Sequence, residues 1–317
     1  MFRRWLSTFW RNNKQTITRL AKLFAILIVI SISAGAIFSN INNSTTEENE
    51  VQEIYRPHEV AISGGEIAEE KFENENTVVK KFVEFCNVQN STEAYNLLTD
   101  ECKEMLYPTI KDFEDKYCKI IFSKKREYNL QAWIAEQNYS TYRIRFTEDF
   151  MESGSYDETE KFEDYITIVT DSKNQENKKI NVNGYIKTVQ INKKTETENL
   201  KMEVLSVDVY MDYAIYNMNF ENKTDSDILL DTLETYDNIK LIGSNGATYK
   251  LDSMNLKVFD LRIARNSKKE VMLRFRKTHG SNVSGNSILF NRVIMDYFEY
   301  TKDRKNYDNF EDLTIKL

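Results

Sequence analysis

An uncharged run of sixteen residues, Leu23 to Phe38 (LFAILIVISISAGAIF), follows a head that holds basic residues and no acid. With Leu20 and Ala21 it approaches the roughly 20 apolar residues of a bilayer-spanning helix. It is apolar on every side, which argues against a buried helix of a soluble core. Arg3, Arg4, Arg11, Lys14, Arg19 and Lys22 all lie within the first 22 residues; the chain total is −7, so −13 falls on the remainder. The next charges are Glu47, Glu48, Glu50 and Glu53. Under the positive-inside rule these six cations set the topology, keeping the N-terminus in the cytoplasm and carrying everything after about residue 40 across the membrane. Residues 1–22 therefore read as a cytoplasmic tail and 23–39 as a transmembrane helix, with Lys22 snorkelling to the headgroups. A secretory signal cleaved after Ala36, in Ala34-Gly35-Ala36, is the alternative. Either form leaves the bulk extracellular, as part of the cell envelope.

Residues 40–76 are polar and acidic and read as a tether, with His58 as a solvated linker residue. The apolar residues Val60 to Ile62 and Ile67 offer a second reading, docking on the domain that follows. From Thr77, in N-cap position, Val78, Val79, Phe82, Val83 and Cys86 fall at helical spacing. STEAYNLLTDECKEMLYP reads as a second helix, and TIKDFEDKYCKIIF as a third with Ile110, Phe113, Tyr117, Ile120 and Ile121 on one side. Four strand patterns follow, the last being KKINVNGYIKTVQINKK. In the second, Tyr142, Ile144 and Phe146 alternate with Thr141, Arg143 and Arg145; in the third, Phe162, Ile166 and Ile168 share a face. This order predicts an α+β domain over 77–195, three helices on a four-stranded antiparallel sheet.

Past a charged join only short strand patterns remain, separated by turn signals such as Asn245-Gly246. Ala214, Tyr216, Met218 and Phe220 alternate with polar or outward positions, as do Val271, Leu273 and Phe275. Seven or eight such strands over 200–317 predict an all-β sandwich.

The segment FCNVQNSTEAYNLLTDECKEMLYPTIKDFEDKY, with FTEDFMESGSYDETEKFEDYITIV and INVNGYI, resembles extracytoplasmic members of the nuclear-transport-factor-two-like superfamily, the cystatin-like cone, in Gram-positive bacteria. The likeness spans about residues 76–192. YNMNFENKTDSDILL, IKLIGSNGATYKLD and SKKEVMLRF resemble immunoglobulin-like domains of bacterial surface and lipoprotein families. The cone superfamily hosts enzymes, binding modules and structural parts alike, so the resemblance implies a fold and leaves the task open.

No chemistry-bearing motif stands out. Cys86, Cys102 and Cys118 contain no C-x-x-C, and read either as small core residues or as one disulfide, Cys86 with Cys102, across consecutive helices. Zinc lacks a fourth ligand, and a cysteine nucleophile lacks a base, since His279 lies in the other domain. Asp149, Glu152, Asp157, Glu158, Glu160, Glu163 and Asp164 crowd one hairpin; they read as solvated charge, with calcium as the weaker alternative, because the EF-hand order is missing. Trp133, Tyr142 and Tyr165 are candidates to line a cone pocket, or else core. The sequence therefore calls for no catalytic residue, no cofactor and no metal. Net negative charge disfavours nucleic acid as a partner. The expectation is a single-pass, non-enzymatic interaction or assembly protein that meets other envelope proteins, laid out like the bitopic parts of conjugation and secretion machines. Ligand capture for sensing or adhesion is the alternative, and a cone-type isomerase or hydrolase a further one.

Overall fold

Leu98 falls within a stretch that the sequence predicts as helix, and it pairs instead with Ile180, which divides that helix in two. The computed structural model describes residues 58–62, 64–148, 162–170, 177–234, 238–277 and 285–317, all within one compact unit. The basic tail, the apolar run and Ala36 lie outside these residues. Among the described residues, no helix is long and apolar enough to cross a membrane.

Helix α1 (Glu69–Asn87) begins eight residues before Thr77. Its buried face is Phe72, Glu75, Val79, Phe82, Val83 and Cys86, so the helical period runs through a buried carboxylate, and this hid its first two turns. Thr77 is not a cap; its hydroxyl donates to the Glu73 carbonyl at 2.9 Å, a bond made inside a helix. Ahead of it, the apolar residues of the tether dock. Val60 and Ile67 are buried, and Ala61 and Ile62 donate their amides to the Ala132 and Trp133 carbonyls at 3.2 and 3.1 Å.

The second helical pattern divides into α2 (Ser91–Asn96) and α3 (Asp100–Leu106). Between them the Ile180 amide donates to the Leu97 carbonyl at 2.9 Å and the Thr99 amide to the Ile180 carbonyl at 3.0 Å, so pairing with the sheet replaces helical bonds. The Thr99 hydroxyl then caps α3 by accepting from the Cys102 amide at 3.0 Å. Helix α4 starts at Ile110–Phe113, widens into a π turn at Glu114–Cys118 and ends with Lys119–Ile121. The wide turn brings Tyr117 and Cys118 inward together, while Ile110 and Ile120, expected on the buried side, are exposed.

Strands β1 (Arg126–Ala135), β2 (Tyr139–Glu148), β3 (Phe162–Thr170) and β4 (Lys178–Asn181) form an antiparallel sheet in that order. Tyr142, Ile144, Phe146, Ile166 and Ile168 are buried in the core this sheet shares with the helices, and their sequence neighbours Thr141 and Thr167 are buried as well, with their hydroxyls paired at 3.0 Å. The fourth strand pattern splits at a turn where Asn183 and Gly184 adopt φ of 55° and 66°. Its second half, β5 (Tyr185–Glu196), leaves this sheet and pairs with β6 (Leu200–Tyr210).

Two further antiparallel sheets follow. One runs β12 (Lys268–Arg276), β7 (Tyr213–Asn222), β6, β5. The other runs β10 (Thr248–Lys250), β9 (Ile239–Gly243), β13 (Gly285–Ile294), β8 (Ile228–Leu229), β11 (Arg262–Ile263), with β14 (Phe310–Lys316) also on β13. A short helix, α5 (Tyr297–Lys302), joins β13 to β14. The alternating residues of β7 and β12 face Ile239, Leu241, Ile288 and Phe290 in one core, where Phe220 meets Phe290 edge-on at 5.6 Å. Phe220→Ala empties the middle of this core and is expected to cost about 3–5 kcal/mol in urea unfolding. Met272→Ala, at a position 67% exposed on β12, is expected to stay within about 0.5 kcal/mol.

Candidate functional site

A binding site inside the helical half would need open space between helices and sheet, and aromatic rings occupy that space. Phe113 stacks on Tyr117 at 5.5 Å; Tyr107 meets Phe113 edge-on at 5.2 Å, and Phe122 meets Phe146 edge-on at 5.2 Å. Phe82 touches both Phe113 and Tyr117, at 6.1 and 6.0 Å. All six of these rings are buried.

Two carboxylates enter this interior. Glu75 is fully buried on α1 and accepts from the Tyr142 hydroxyl, with the Ser140 hydroxyl at 3.4 Å and the Lys71 ammonium at 3.9 Å. Burial, and then the neighbouring Glu75 charge, drives the Tyr142 phenol well up, so it remains a donor. Asp164 is half-buried as a residue, on the inner face of β3. Its carboxylate accepts from the Tyr117 hydroxyl at 3.0 Å, the Asn183 amide at 3.0 Å and its neighbour Tyr165's amide at 2.7 Å. Desolvation nevertheless outweighs these bonds and raises its pKa. Both carboxylates are held by donors of the fold itself.

Two of the three candidate pocket residues, Trp133 and Tyr165, come together, and Tyr142 lies apart from them. Tyr142 faces the core beside Ala132 and Ile166, its partners in register. Trp133 sits at a bulge in β1 and projects to the opposite side, where it meets Tyr165 at 5.6 Å and the Arg143 guanidinium at 5.3 Å. Tyr165 does border open space, a groove of about 450 Å³ lined also by Leu106, Asp164, Tyr210, Asp212 and Tyr213. The sequence offered no signal for Tyr210 and Tyr213, because the groove forms only where the β6–β7 turn meets β3.

All three cysteines are buried and free. The sulfurs that meet are those of Cys86 and Cys118, at 3.9 Å, and not Cys86 and Cys102; the π turn of α4 points Cys118 at α1. Together they line a second cleft, of about 410 Å³, with Gln89, Ser91, Glu114 and Lys119. Of the acidic hairpin, residues 149–161 lie outside the described residues, as does His279. Glu163 pairs with Arg143 and Arg145 at 2.5 and 2.7 Å, which holds its carboxyl below the usual range. Among the described residues no group of three or more side chains is placed to hold a metal ion. His58 accepts the Ile67 amide at its carbonyl, at 2.9 Å, in the docked segment before α1.

No family model matches the chain, and no curated protein matches it. Two solved bacterial structures are similar to parts of it. A conserved hypothetical protein from Bacillus anthracis is 12% identical, over 32% of this chain and 89% of that one, with a TM-score of 0.25. A functionally unknown protein from Listeria monocytogenes EGD-e is 8% identical, over 41% of this chain and 87% of that one, with a TM-score of 0.27. At these scores neither likeness bears on what the chain does.

Tyr142→Phe leaves Glu75 buried without its closest donor and is expected to cost about 1–3 kcal/mol of stability in urea unfolding. Asp164 adds a pH dependence. Its carboxyl binds a proton more tightly folded than unfolded, so its contribution to stability falls as pH rises from the ordinary carboxylate value through the raised one. As pH rises from the ordinary carboxylate value, urea midpoints of Asp164→Asn are expected to decline less than those of the parent.

Proposed function

We propose that this chain is a single-pass membrane protein of a Gram-positive cell envelope, whose extracytoplasmic part serves non-enzymatic interaction and assembly. In this reading the helical half is a nuclear-transport-factor-two-like cone and the β half an immunoglobulin-like sandwich. The observation that carries it is the filled interior: the space a cone enzyme or carrier would use is occupied by Phe82, Phe113, Tyr117 and Phe122. Glu75, the fully buried acid, is held by Tyr142, and Asp164 is held by Tyr117 and backbone amides while also bordering the groove beside Tyr165. What is left for recognition is the outer surface.

An anchor would raise the effective concentration of that surface near other membrane proteins, so that weak contacts suffice. An accessory role in a conjugation or secretion apparatus fits this layout by analogy of architecture. Ligand capture is the second reading, and the groove beside Tyr165, Tyr210 and Tyr213 is the feature that favours it.

Two measurements on intact cells test the proposal. An impermeant protease added to whole cells is expected to remove a C-terminal tag, and in-cell crosslinking is expected to yield a discrete adduct with another envelope protein. A tag that is digested only after lysis removes the envelope assignment. A chain that crosslinks to nothing while reaching the surface removes the assembly role.

A further inference from the structure

Cys86 and Cys118 stand 32 positions apart, on the last turn of α1 and the π turn of α4, yet their sulfurs are 3.9 Å apart at the base of one surface cleft. A π turn inside a helix is uncommon and recurs at functional sites; here it directs Cys118 at its partner. The two thiols are unlike. Hydrogen bonds with Cys86 and with the Ser91 hydroxyl lower the Cys118 thiol, whereas burial drives the Cys86 thiol up. Two free thiols in contact on the lining of one cleft are placed for sequential disulfide exchange, one forming a mixed disulfide and the other resolving it. Cys102 does not line the cleft, and burial raises its thiol to about 12.

We propose that Cys86 and Cys118 are a redox-active dithiol that closes to a disulfide by exchange with a small-molecule disulfide entering this cleft. The Cys118 thiolate attacks one sulfur of the incoming disulfide, whose S–S bond breaks and whose other half leaves as a thiolate. Cys86, giving up its proton, then attacks the Cys118 sulfur and expels the second half. The protein loses two electrons and two protons, and the oxidant gains both to become two thiols. The protein sulfurs move from 3.9 Å to a bonded separation of about 2.05 Å, fastening α1 to α4. This proposal goes beyond the envelope reading and does not depend on it, because exchange is a property of the pair.

The test uses the full-length chain, reduced and then incubated with oxidised glutathione before denaturation, thiol counting and peptide mapping. The expected result is a loss of two of the three thiols, a mass lower by two hydrogens, and a peptide joining Cys86 to Cys118. Cys102→Ser is expected to close as the parent does. Cys86→Ser is expected to stop at a glutathione adduct on Cys118. Three thiols retained by the parent, a lasting glutathione adduct on it, or a bridge reaching Cys102 would overturn the proposal, and the parent result decides even where a variant fails to fold.

Discussion

Strand β6 is buried at both ends, in two different cores, and the rest of the structure depends on that double commitment. Leu200, Met202 and Val204 enter the core between the two β sheets, while Tyr210 enters the core beneath the helices, edge-on to Tyr185 at 5.4 Å. A polar chain runs alongside. The Tyr185 hydroxyl reaches Glu101 at 3.3 Å and Thr188 at 2.8 Å, Thr188 donates to Asp208 at 2.7 Å, and Asn217 donates to the other Asp208 oxygen at 2.7 Å. Asp208 is buried, so losing the bond from Thr188 or from Asn217 would leave one of its oxygens without that donor in a buried site. A hinge between the helical and the β halves would have to break ring contacts and this chain together. The two halves therefore behave as one body, and a surface built across both keeps its shape.

That rigidity bears on recognition. The interior of the helical half is closed by aromatic rings, and its buried acid is satisfied by its own fold. Two open spaces border the helical half, the groove by the β6–β7 turn and the cleft over Cys86 and Cys118. Both sit where elements meet rather than inside a layer, so their shape is fixed by the packing that holds the elements together.

Much of this was legible in the chain itself, and the exceptions have physical causes. Alternation in β7 and β12 was plain because one side of each strand is buried and the period of two is kept. The start of α1 was hidden because Glu75 occupies an apolar slot, and a single sequence does not announce a buried carboxylate with partners 65 and 67 residues away. The split between α2 and α3 follows from the pairing of Leu98 with Ile180, a long-range bond that local propensity cannot register. KKINVNGYIKTVQINKK reads as one strand because β-branched and aromatic residues continue on both sides of Asn183-Gly184; the turn there sends its halves to different sheets. At the candidate sites, Trp133 lies on the opposite face from Tyr142 because Tyr142 pairs with Ala132, and the sulfur that meets Cys86 is that of Cys118 on the π turn rather than Cys102. Which strand residue pairs with Tyr142 and which helix faces Cys86 are long-range facts that period-counting along one segment does not carry.

Calorimetry of the full-length chain tests the double commitment of β6 most directly. If β6 fuses the halves, residues 58–317 melt in one transition whose calorimetric and van't Hoff enthalpies agree. Two resolved transitions, with the helical half melting apart from the sheets, would contradict the account.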